Sequence, residues 1–95
     1  ETFIERSLFI DAIHTYYMLR NTNKLNEVGE FCLKNKQNEY AYEAFKLADN
    51  KEGLTRTGDA FLANAEIEKA HSAFKLAQID IMIAFIEANF NQGFK

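Results

Sequence analysis

The chain has 95 residues, enough for one compact domain or about three repeat units, and its 47% hydrophobic and 26% charged residues argue against wholesale disorder. A net charge of −3 argues against nucleic-acid binding through phosphate neutralisation, and the single cysteine, Cys32, leaves no partner for an internal disulfide. With no apolar run of the ~18 residues a membrane helix needs and no signal-peptide pattern at the start, no direct membrane insertion and an intracellular, reducing location are expected.

Proline is absent and glycine occurs four times, which favours helices joined by tight turns. The first predicted helix covers roughly Ile4 to Leu19 and carries Ala12, Tyr16 and Leu19 at helical spacing. A second follows near Lys24 to Lys34. Its Leu25, Val28, Gly29, Cys32 and Leu33 recur as i, i+3, i+4, i+7, i+8, one face of a 3.6-residue helix. A third, near Asn38 to Ala48, places Ala41, Ala44, Phe45 and Ala48 on one stripe. The fourth, near Glu52 to Ala63, repeats the second as Leu54, Thr57, Gly58, Phe61 and Leu62. The fifth, near Glu66 to Ala77, repeats the third as Ala70, Ala73, Phe74 and Ala77. The last spans Ile79 to Asn91. There Ile79, Ile81, Ile83 and Phe85 alternate with Asp80, Met82 and Ala84 in a strand-like period of two, but Ile83, Ile86 and Phe90 hold the helical register of Leu25 and Leu54. A helix with an unusually apolar outer face, covered by some other element or partner, is the prediction.

Turn signals divide these segments. Asn21 to Asn23, Asn35 and Lys36, Asp49 and Asn50, and Asn64 and Ala65 lie between them. Asn and Asp suit caps and turns because their short side chains hydrogen-bond nearby backbone groups. Glu39 and Glu43, or Glu66 and Glu68, come early in their helices, where the helix dipole favours negative charge.

All of these correspondences share one constant offset: Ala12 maps to Ala41 and Ala70, Tyr16 to Phe45 and Phe74, Leu25 to Leu54 and Ile83, and Cys32 to Phe61 and Phe90. Self-similarity at such a period marks stacked repeats that bury their faces against their neighbours. Two helix types alternate, B-A-B-A-B-A, where A is the type with Leu25 and B the type with Ala41. Helices this short draw their stability from packing.

The pattern resembles the tetratricopeptide repeat. Leu54, Thr57 and Gly58, Phe61, Ala70, Phe74 and Ala77 take that family's positions with its internal spacing, as do Leu25, Val28 and Gly29, Cys32, Ala41, Phe45 and Ala48. Ala12, Tyr16 and Leu19 match the second half of an earlier unit. The period falls short of the family's usual one of roughly 34 residues. The usual proline is missing, and Glu87 stands in place of glycine. Shortened units of this kind look similar to the α-solenoid tails of vesicle-coat and intraflagellar-transport scaffold subunits. The resemblance implies an all-α, right-handed α-solenoid of antiparallel helix pairs, about six helices in all. It also implies one repeat domain over residues 1–95, a fragment of a longer solenoid.

In such repeats the A helices line a concave groove, which maps here to Asn23, Asn26, Glu30 and Lys34, then Glu52, Thr55, Asp59 and Ala63. Some family members grip a terminal carboxylate with paired Lys and Asn. Glu30 and Asp59 are anionic where a cation or amide is needed, so a partner segment carrying amides or positive charge fits better. The resemblance thus implies a non-catalytic protein-interaction scaffold within a larger trafficking or transport assembly. A self-contained peptide-binding module is an alternative. An RNA-reading repeat would lean on Asn26 and Thr55, against the negative charge balance.

No catalytic, cofactor or metal site is expected. Cys32 lacks a placed base, His14 and His71 belong to no metal-ligand spacing, and no glycine-rich phosphate loop or GxSxG motif occurs.

Overall fold

The computed structural model describes residues 3–90, and these are all-helical, without a strand among them. Six helices follow in order: α1 (Phe3–Met18), α2 (Thr22–Lys34), α3 (Asn38–Leu47), α4 (Lys51–Ala63), α5 (Ile67–Ala77) and α6 (Asp80–Asn89). Each packs on its neighbour in the chain, and α1 also touches α3 while α2 touches α4. The predicted segments agree with these limits to within two residues through the start of the last helix. Asn91, the predicted end of the last helix, lies outside the described residues, as do Glu1, Phe94 and Lys95.

The asparagines act as caps where expected. The Asn21 side chain accepts the Lys24 N–H at 3.1 Å, and that of Asn50 accepts the Gly53 N–H at 2.9 Å. Each satisfies a donor that the first helical turn leaves without a backbone partner. The cap at Asn21 starts α2 at Thr22, so Asn23 belongs to the first helical turn rather than to the linker.

The helix ends carry the recurrence into the backbone. Arg20, Lys36, Asp49, Ala65 and Gln78 all have φ between 54° and 62°. In each case the next amide donates to the carbonyl at i−5: Asn21 to Tyr16, Gln37 to Cys32, Asn50 to Phe45, Glu66 to Phe61 and Ile79 to Phe74, at 2.7–3.1 Å. This is the Schellman closure, in which one left-handed residue turns the chain and satisfies the last carbonyls of the helix. Arg20, Asp49 and Gln78 are equivalent positions in the repeat, as are Lys36 and Ala65. Glycine usually holds this position because a Cβ in the left-handed region costs about 1–2 kcal/mol. None of the five is glycine. Ala65→Gly is therefore expected to stabilise the fold by about 0.5–1 kcal/mol, the relieved strain exceeding glycine's extra unfolded-state entropy. Ala65 is exposed, so no packing is lost. A lower urea midpoint for this variant would count against strain at the turn.

The core is a chain of small clusters. Ile13, Leu25 and Ala44 form one; Cys32, Ala41, Phe45, Leu54 and Ala77 the next; Phe61, Ala70, Ala73, Phe74 and Ile86 the third. Phe45 and Phe74 are fully buried, at 0% exposure. A Cβ on Gly29 would come within 2.6 Å of the Phe45 ring, one on Gly53 within 2.5 Å, and one on Gly58 within 2.8 Å of the Phe74 ring. Phe45 is thus wedged between backbone of α2 and α4, and the Gly29–Phe45 contact recurs in the next repeat as Gly58–Phe74. The Thr57 hydroxyl, also buried, donates to the Gly53 carbonyl at 2.8 Å, so its burial leaves no unpaired polar group.

The alternating segment is helical because its two apolar sets have different surroundings. Ile86 is buried, with Met82 and Ile83 packed partly behind it, whereas Ile81 and Phe85 face solvent, 78% and 48% exposed. Glu87, in the register position of Gly29 and Gly58, reaches back to α5. His71 Nε2 and Glu87 Oε2 lie 2.8 Å apart, and His71 is buried. Among the described residues no helix is long and apolar enough to cross a membrane.

Candidate functional site

The predicted groove row lies on α2 and α4, two helices that touch, and part of it is held by bonds within the chain. Asn23, Glu30, Lys34, Glu52 and Asp59 are exposed, as is Ala63, while Asn26 and Thr55 are half-buried. Asn50 Nδ2 donates to Asn26 Oδ1 at 2.9 Å, so Asn26 braces the same residue that caps α4. The Thr55 hydroxyl donates to the Lys51 carbonyl at 2.8 Å, which leaves it less available to a ligand.

Glu30 accepts both terminal nitrogens of Arg56, one of them at 2.8 Å, joining α2 to α4. The Arg56 guanidinium also stands 5.8 Å from the centre of the Phe45 ring. This bidentate bond holds the Glu30 carboxyl below the usual carboxylate range and raises Arg56 above its ordinary value. The charge of Glu30, read from the sequence as an acceptor for a partner's cation, is thus met by Arg56.

A second surface, which sequence reasoning did not single out, has the stronger shape. A cleft of about 490 Å3 opens between the B helices α1, α3 and α5. α3 touches α1, whereas its contact with α5 is slighter. Ile10, Ile13, Tyr40, Tyr42 and Leu47 supply apolar surface, and none of the groove row lines it. Its polar residues are His14, Glu39, Glu43, Lys69 and Ser72. His14, Glu43 and Ser72 occupy one register position repeated on three helices. That offset was available in the sequence. The residue types differ at each step, however, so no chemistry repeats and the position escapes a search for similarity.

Charge around the cleft is arranged in exposed pairs. Lys69 bonds Glu39 of α3 and, at 3.2 Å, Glu66 at the N-cap of its own helix. These two carboxylates raise the Lys69 ammonium above its ordinary value. Lys46 pairs with Glu43 at 3.0 Å and sits 5.5 Å from the centre of the Tyr42 ring. Among the described residues no group of three or more His, Cys, Asp or Glu is placed to hold a metal. No family model, curated protein or solved structure matches this chain.

Proposed function

We propose that the chain is a protein-interaction scaffold built of tetratricopeptide-like repeats, a right-handed solenoid of antiparallel helix pairs within a larger intracellular assembly, such as a trafficking or transport complex. The repeat reading draws support from the constant-offset recurrence, which governs core side chains, left-handed turns and glycine–aromatic contacts alike. Stacked units of this kind contact only their neighbours and offer long faces to partners.

The observation that carries the interaction role is the outer face of α6. Ile81 and Phe85 are exposed, and Phe85 meets Phe90 edge-on with ring centres 6.5 Å apart. In register, Ile81 and Phe85 stand where α4 has Glu52 and Arg56, so apolar residues replace the charged ones that keep an A helix in water. Clustered exposed apolar residues mark contact surfaces. This face suits a scaffold in contact with another protein better than a self-contained module whose terminal helix is solvated.

The test is quantitative capture of proteins from cell extract by the immobilised chain and by the Ile81→Asp, Phe85→Asp double variant. Loss of a defined set of partners, with helix content and Tm unchanged, is expected. Retention of the same set by the double variant would remove the basis for this role.

A further inference from the structure

We propose that the chain assembles head to tail: α1 of a second copy docks on α6 and completes the helix pair that α6 begins. This rests on the repeat reading above and adds to it the identity of one partner. Within the chain each A helix pairs with the B helix that follows it, α2 with α3 and α4 with α5, and these packings are the closest in the fold. Among the described residues α1 is a B helix with no A helix before it, and α6 an A helix with no B helix after it. Register shows which faces this leaves open. Ala41 and Phe45 on α3, and Ala70 and Phe74 on α5, are fully buried, whereas their counterparts on α1, Ala12 and Tyr16, are half-buried. On the A helices Leu25 and Leu54 are buried, as are Cys32 and Phe61. Their counterparts on α6 are Ile83, which is half-buried, and Phe90, which is 41% exposed. The two ends thus present the two halves of an interface that the interior of the chain buries twice.

The halves fit each other. In the α4–α5 pair Leu54 and Ala77 share one cluster, Gly58 receives the Phe74 ring, and Phe61 and Ala70 share another cluster. Carried by the repeat offset to α6 and a second α1, that order sets Ile83 near Leu19, Glu87 near Tyr16 and Phe90 near Ala12. Phe90 with Ala12 keeps the aromatic–alanine pairing of Phe61 with Ala70. The middle contact changes chemistry on both sides at once: Glu87 stands where a glycine admits the ring, and Tyr16 where a phenylalanine fills the space. A phenol donates to a carboxylate, and such charge-assisted bonds are the stronger kind. Glu87 bonds His71 through Oε2 and its side chain is 49% exposed, so Oε1 can accept the Tyr16 hydroxyl. Leu19, 68% exposed, stands in place of Ala48 and Ala77 and fills the wider separation that Glu87 imposes. A foreign protein would have to bring a B-type helix with the same phenol, which a second copy carries. One helix pair is a small interface, so association is weak. Its two faces differ, so it is heterologous and does not end at a dimer.

The experiment is sedimentation equilibrium of the 95-residue chain from micromolar to millimolar concentration. The average mass is expected to rise through the dimer and beyond it. Leu19→Lys blocks the α1 end and Phe90→Lys the α6 end; both residues are exposed, so helix content and Tm should be kept. Each variant alone should stay monomeric. Their equimolar mixture should form a dimer and stop there, through the intact α6 of one and the intact α1 of the other. Tyr16→Phe installs the residue found at Phe45 and Phe74, so the fold tolerates it, but association should weaken roughly tenfold through the lost hydrogen bond to a charged group. A monomer at every concentration, a dimer of either blocked variant alone, no dimer in the mixture, or a Tyr16→Phe chain that associates as the parent does would each overturn the proposal. Ile81 and Phe85 lie on a different face of α6 from Ile83, Glu87 and Phe90. The Leu19→Lys variant should therefore still capture the extract proteins that depend on them, so failure of that role and failure of this one are separately visible.

Discussion

Truncating Phe45 to alanine should destabilise the chain by about 3–5 kcal/mol, the range for large aromatic residues removed from a packed interior. Two costs add. The lost ring gives up the transfer free energy of a fully buried side chain, and the space left behind cannot close easily. Phe45 contacts α2 at Gly29 and α4 at Gly53, so collapse would require two helices to move toward a third. Phe74→Ala removes a ring that is equally buried and seated on Gly58, and should fall in the same range. Since marginal domains hold only about 5–15 kcal/mol in total, either change should bring the urea midpoint down sharply. The measurement is equilibrium urea unfolding followed by circular dichroism. Near-neutral values at both positions would contradict the assignment of these rings to the core.

Gly53→Ala tests the same wedge from the other side, with the opposite expectation from helix propensity. In an exposed helix interior, glycine to alanine stabilises by about 0.8–1 kcal/mol. At Gly53 the new methyl would lie 2.5–2.7 Å from three atoms of the Phe45 ring, well inside van der Waals contact. The ring is fully buried and cannot swing into solvent, so the helices must part or the ring must leave its rotamer. The expected net effect is destabilisation by about 1–3 kcal/mol. A second variant separates clash from other causes. In a Phe45→Ala background none of the atoms that the methyl would strike remains, and Gly53→Ala should cost much less or become favourable. The coupling between the two positions, read as a double-mutant cycle, should then be about 1 kcal/mol or more. Additive effects would mean that the methyl and the ring do not meet.

Much of this architecture was legible in the chain before any coordinates. The six helices and their limits followed from the spacing of Leu25, Cys32, Ala41, Phe45 and their counterparts, because burial on one side of a helix writes a 3.6-residue period into the residue types. The caps at Asn21 and Asn50 were legible for a similar reason, since a short side-chain acceptor at a helix start does a local job. The left-handed residues Arg20 and Gln78 were not. They lack the glycine that normally marks such turns, and neither residue type favours a positive φ by itself.

The candidate sites divide along the same line. The groove row could be listed from register, but only the fold pairs Glu30 with Arg56 and Asn26 with Asn50, contacts that join one A helix to the start or flank of the next. The apolar outer face of α6 was visible as a run of isoleucines and phenylalanines, because one helix carries all of it. The cleft was not visible, because it is a gap lined by residues of several helices far apart in the chain. The order of residues alone therefore determined the helices, their repeat and which rings are buried, since these depend on near neighbours and a constant period. The tertiary structure alone decided which charges are already neutralised and where a hollow remains, since both depend on the spacing between helices that local sequence does not encode.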